Sequence, residues 1–523
     1  MPTLAVVPIF VNAGAAILPA ILAGAVSMVS LLLKPRELLH ACRRRPVAAI
    51  SVVMSLAAAI WLGSWAATVR PANAAKAKDA NAVATAIDWS KIALQVIRCR
   101  QAGQFDAAAT MPAAAVGLGR DFARCAYDGC GSPVELQPRW EFKLEDAAFL
   151  SSPAVVGGKV YAATCQLDVT GKYGSLVCVD ARSGQKIWQA DGDGSESFKP
   201  FFSSPALTQD GRYLLIGQGL HDDKDCCLLC FEAATGTLRW RLKTPLHIEG
   251  SPAIAGDMVV AGAGAIEGAD RKPTTHPGLV VAVRISDGAE LWRYELADPE
   301  SSPAIGPDGT VYIGSGFNGS AVVALRGQSD AELKAAGLDR LIWRAGSPFP
   351  VTGAVSLAGE LVIVGGGNGD YVYASPNPAG VVLALDRQSG QVRWQSKMDD
   401  AVLGAVAVAD GRAICPVRNG EVVALDLRNG QRLWHQRISG NSPVLAGPAV
   451  AGRFVYAVSR DGYLAVLDAA SGQLLEKHHI NDDARPGAMG LSLSSPTVAG
   501  GCLFVGSETG GLRCFTGQLP IAN

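Results

Sequence analysis

Beyond residue 138 the apolar side chains fall on alternate positions in short runs broken by Gly, Asn, Asp and Ser, the pattern of half-buried strands joined by turns. One unit recurs: VCVDARSGQKIW (177–188), LCFEAATGTLRW (229–240), VAVRISDGAELW (281–292), LALDRQSGQVRW (383–394) and VALDLRNGQRLW (423–434). Each is an apolar strand, a polar turn, a glycine and, four residues later, a tryptophan. A further copy, AVLDAASGQLLE (465–476), has Glu476 in the tryptophan position. Another begins at VVALRGQS (322–329) and reaches Trp343 only after a helix-like insertion, DAELKAAGLDR.

The starts of the units repeat as well. Ser-Pro opens an apolar strand at 152, 204, 251, 302 and 495, and Gly353-Ala354, Gly404-Ala405 and Gly447-Pro448 stand in the equivalent places, which makes eight openings. A second apolar strand follows each opening, as in KVYAAT (159–164) or RFVYAVS (453–459). Four short antiparallel strands at a period of 40 to 52 residues are the signature of a β-propeller blade. The eighth opening runs out of chain before its tryptophan, while PRWEFKL (138–144) supplies Trp140 with no opening before it. The spacing therefore predicts an all-β, eight-bladed propeller over 138–523 whose last blade is closed by the N-terminal strand, hiding the edges that an open sheet exposes.

The unit ALDxxSGxxxW resembles the tryptophan-docking repeat of the PQQ-repeat β-propellers, a family that holds both quinoprotein alcohol dehydrogenases and BamB-like subunits of outer-membrane assembly machinery. The resemblance implies that Trp140, Trp188, Trp240, Trp292, Trp343, Trp394 and Trp434 pack between neighbouring blades, a role suited to a large flat side chain with one N–H to satisfy.

The front of the chain has a different composition. Residues 4–33 carry no charge and residues 47–69 are nearly as apolar, each long enough for a membrane span of about 20 residues. Between them Lys34, Arg36 and Arg43 to Arg45 outweigh Glu37, so the positive-inside rule places that loop in the cytoplasm and the propeller on the periplasmic side of the inner membrane. A rival reading takes residues 35–74 as a signal sequence ending at Ala72-Asn73-Ala74. Either way the propeller is exported. Residues 70–137 read as a linker with a short helical segment.

Charge and cysteine usage narrow the function. A net charge of −1 gives no field for nucleic acid. Cys227 and Cys230 form a CxxC, but three positions apart in a strand they point to opposite faces and cannot grip one metal, so no metal site is expected. In the resembling dehydrogenases a vicinal disulfide lies over the cofactor, with Ca²⁺ and an aspartate base. Cys226-Cys227, the one vicinal pair, falls inside a predicted strand, and no catalytic residues are assigned.

Long connections in blades two, three and five share one face with the crossovers between blades. They gather Phe198, Phe201, Phe202, Phe349, Asp370, Tyr371 and Tyr373 as a candidate partner-binding rim. The expectation is a membrane-anchored scaffold for an envelope or membrane protein partner, with no cofactor. The alternative is a PQQ- and Ca²⁺-dependent dehydrogenase, or a propeller that binds a carbohydrate or other small ligand.

Overall fold

The computed structural model describes residues 132–518, apart from 168–170, 221–222, 265–277 and 483–489. The apolar segments at 4–33 and 47–69 lie outside the described residues, among which no helix is long and apolar enough to cross a membrane.

Eight four-stranded antiparallel sheets follow one another along the chain. Blade one is Ala154–Val156, Lys159–Ala163, Leu176–Asp180 and Lys186–Ala190, hydrogen-bonded in that order, and the next six blades repeat it. Blade eight takes its first three strands from Thr497–Ala499, Cys502–Gly506 and Leu512–Gln518 and its fourth from Val134–Phe142, at the other end of the propeller. That closing strand starts four residues before the stretch expected from sequence, with Val134 opposite Gln518 and Phe142 opposite Leu512. Around most of the ring the first strands of neighbouring blades lie side by side, and those of blades eight and one also meet, so the ring is closed.

The recurrent turn and tryptophan explain how blades lock together. In blade five Asp386 Oδ1 accepts from the Ser389 N–H and hydroxyl, both at 2.8 Å, which holds the turn in shape. Gly390 follows with φ +71°, a left-handed conformation open to glycine at no steric cost. A Cβ there would also come within 2.6 Å of the Trp343 ring, so the indole of blade four lies flat on the glycine of blade five. Its Nε1–H donates to the Arg387 carbonyl at 2.9 Å. Trp140, Trp188, Trp240, Trp394 and Trp434 make the same contact with the next blade, at 2.8–3.0 Å.

Two positions depart from the repeat. The insertion before Trp343 forms the helix Asp330–Ala336, opened by a capping box between Ser329 and Glu332 and stopped by Gly337 at φ +66°. Trp292 donates to the Gly327 carbonyl at 2.9 Å, and Arg340 stacks 4.5 Å above its ring. Glu476 is the second departure. It pairs opposite Val466 as Trp434 does opposite Ala424, yet its carboxylate accepts the backbone N–H groups of Glu135 and Leu136, where the closing strand begins.

Candidate functional site

The crossovers that enter the blades converge on the ring axis and build the site. Proline after each Ser-Pro serine disfavours helical backbone at that serine, keeping it extended. The Ser495 N–H donates to Ser152 Oγ, Ser152 to Ser204, Ser204 to Ser251 and Ser251 to Ser302, each at 2.9 Å. This girdle runs from blade eight to blade four. At Gly353, Gly404 and Gly447 no hydroxyl continues it, and a Cβ on Gly404 would meet the Leu445 carbonyl at 2.5 Å, so the backbones approach directly.

Inside the girdle is a cavity of about 220 Å³. Leu150, Phe202, Leu403 and Leu445 line its apolar side together with Tyr371 and Val372, while serines, Thr352, Glu249 and Glu300 line the other. Behind the two glutamates sits His247, fully buried, with Nε2 3.0 Å from Glu300 Oε1 and 3.5 Å from Glu249 Oε1. Two glycines make this convergence possible. A Cβ on Gly250 would lie 2.6 Å from the Glu300 carbonyl, and one on Gly219 would lie 2.8 Å from the His247 Cβ. These three side chains were missed in the sequence, where 53 residues separate His247 from Glu300.

The residues expected on a binding rim divide. Phe198 and Phe201 are 3% and 0% exposed and are not surface. They pack edge to face with each other, and Phe198 does the same with Phe231 at 5.5 Å, in the core shared by blades one and two. Phe349 is half-buried against the core between blades four and five, and Phe202 is half-buried at the cavity wall.

The blade-five loop is ordered from within. Asp370 Oδ1 accepts the Val372 N–H at 2.8 Å, and buried Arg418 donates from Nε to the Asp370 carbonyl at 2.8 Å. The Tyr371 hydroxyl donates to the Leu403 carbonyl at 2.9 Å, and its burial pushes the phenol's pKa up. Asn368 bridges the two limbs, donating to the Asn377 carbonyl at 2.7 Å and accepting from the Ala379 N–H at 2.9 Å. This bracing leaves Val372 and Tyr373 exposed, Tyr373 at 68%.

The cysteines belong to the core. Cys227 faces the packing between blades one and two and Cys230 that between blades two and three, as the strand period requires. Cys226 and Cys227 pair with Thr244 and Lys243 within the strand Lys224–Glu232, both as free thiols, and burial pushes the Cys226 and Cys230 thiols up to about 12. Thiols so protonated are inert.

The family model described as "Outer membrane protein assembly factor BamB" matches residues 137–221, 172–272 and 329–519. The chain belongs to the BamB family. BamB of Yersinia pestis is 24% identical over 382 residues, which cover 70% of this chain and 84% of that protein. The crystal structure of BamB from Moraxella catarrhalis superposes with TM-score 0.54 at 16% identity, over 75% of this chain and all of the other. A quinohemoprotein alcohol dehydrogenase from Comamonas testosteroni gives TM-score 0.56 at 16% identity, over 80% of this chain and 83% of that one. The fold is thus common to BamB and to quinoprotein enzymes and does not choose between them.

The cavity tests the cofactor. PQQ is an anion with three carboxylates and calls for cationic partners. Among the described residues the cavity wall offers neither lysine nor arginine to meet those carboxylates, and the ionisable acids lining it are Glu249 and Glu300. These residues do not fit PQQ.

Proposed function

We propose that this chain is a cell-envelope scaffold that binds a protein partner through the blade-five loop, as the relatives' name, outer membrane protein assembly factor, suggests for its class of partner. The observation that carries this reading is the exposed Val372-Tyr373 tip. Its backbone is fixed by Arg418, Asn368 and Tyr371 beside the mouth of the axial cavity. An aromatic side chain on a braced loop contributes to binding without the entropic cost of ordering that loop. The two apolar segments at 4–33 and 47–69 would anchor the chain at the inner membrane with the propeller in the periplasm, which supplies a partner confined to the same compartment.

The test is site-specific photocrosslinking from the neighbouring exposed position 374 in intact cells, with Tyr373 present and with Tyr373→Ala. The expected result is a discrete crosslinked envelope protein whose capture falls at least about tenfold in the alanine variant while the melting temperature stays unchanged, since exposed side chains contribute little to stability. Undiminished capture by Tyr373→Ala would remove the loop from the interface. Protease accessibility of the propeller in spheroplasts tests the orientation separately.

A further inference from the structure

The axial cluster of His247, Glu249 and Glu300 has a geometry that partner binding does not use. We infer that it is a binding site for a divalent first-row transition-metal ion of the Zn²⁺ or Mn²⁺ type. A hydrogen bond alone would account for His247 Nε2 at 3.0 Å from Glu300 Oε1, but a second carboxylate, Glu249, converges on the same nitrogen at 3.5 Å. The three ligand atoms all lie within 4.8 Å of one another. Ligands about 2.0–2.1 Å from a tetrahedral zinc are separated by about 3.3 Å, which is the spacing found around His247.

The donor set also selects the ion. Imidazole with two carboxylates suits zinc, manganese or a neighbouring divalent ion, whereas Ca²⁺ takes six to eight oxygens and gains little from a nitrogen. Two carboxylates brought together at an enclosed site repel, and a double positive charge between them reverses the sign of that interaction.

A second observation comes from another residue of the cavity lining. Thr352 Oγ1 is buried, in a side chain only 7% exposed, and finds no hydrogen-bond partner among the described residues. It lines the same chamber as Glu249 and Glu300. A hydrated ion held by the cluster would give that hydroxyl a water to bond, and the open coordination positions would face the cavity, as in sites that keep exchangeable ligands. This inference does not depend on the blade-five loop being an interface.

The experiment is calorimetric titration of the metal-stripped full-length chain with ZnCl₂, MnCl₂ and CaCl₂, alongside Glu249→Gln and Glu300→Gln. The expected outcome is one site for Zn²⁺ or Mn²⁺ per chain, tighter than for Ca²⁺. Either glutamine variant should weaken it by at least about tenfold, the scale on which even outer partners of a metal site act. The metal should raise the melting temperature of the parent and not of the variants. Glu249, the more exposed of the two carboxylates, keeps the test valid if Glu300→Gln folds poorly. Absence of saturable binding overturns the inference, as does binding that both variants retain in full. Tighter binding of Ca²⁺ than of Zn²⁺ and Mn²⁺ would overturn the assignment of the ion class.

Discussion

Glu476 accepts the backbone N–H of Leu136 at 2.9 Å, joining residues 340 apart in sequence. In every other blade the equivalent side chain is a tryptophan reaching a turn carbonyl of the next blade. Blade eight has no such turn, because its third and fourth strands come from opposite ends of the propeller. What blade seven faces there is the start of a strand, which offers N–H donors, and a carboxylate is the side chain that accepts them. The one position where the repeat loses its tryptophan therefore marks the closure of the ring.

Replacing Glu476 by Ala should lower stability by about 1.5–3 kcal/mol, the range for charge-assisted hydrogen bonds. Glu476→Trp should not restore it, since an indole N–H cannot accept. Thermal melts decide: an alanine variant that melts with the parent would mean that closure does not depend on this contact.

The docking tryptophans should not be equivalent. Trp292 is 1% exposed, hydrogen-bonded and stacked under Arg340, whereas Trp188 is half-buried. Trp292→Ala should cost about 3–5 kcal/mol, the usual loss for a fully buried large aromatic, and Trp188→Ala clearly less. Equal losses in chemical denaturation would contradict the packing described.

Acid should loosen the turns first. Arg428 beside Asp426 holds that carboxyl at about 2, the Ser183 hydroxyl lowers Asp180, and Arg393 followed by Ser389 lowers Asp386. An unfolded aspartate titrates near about 3.9, so folded values below it add stability that is complete above about pH 4 and is lost as pH falls toward 2. The melting temperature should accordingly drop across that window. Asp386→Asn should melt below the parent at pH 7, and the gap should narrow steadily as pH falls below about 4. A gap of constant size would show that the carboxylate charge is not the cause.

The blades were legible in the sequence because most of them repeat one local device: a polar residue that shapes the turn, a glycine that admits a positive φ and a flat indole, and the indole itself. The rim was legible only in part. Phe198 and Phe201 belong to a crossover, which suggested surface, but the crossover bends inward and packs Phe198 on Phe231 and Phe201 on Phe198. Strand periodicity says nothing about a segment outside the strands. The His247, Glu249 and Glu300 cluster was hidden for a related reason: its members sit on the two crossovers that flank blade three, which the bare backbone of Gly250 lets approach. The cysteines were readable because strand alternation alone decided them.

Val134–Phe142 is the first strand of the propeller to be synthesised and Leu512–Gln518, its partner, the last. Throughout translation the earlier strand has no native neighbour, while seven blades complete themselves from adjacent sequence. Ring formation therefore waits for the last strand of the propeller to be made, and the pairing that ends it has the longest loop to close among the described strands. Until then Leu136 and its neighbours present an unmated strand to whatever else in the compartment can add to it, which makes this segment the one whose exposure a cell would need to shorten or shield.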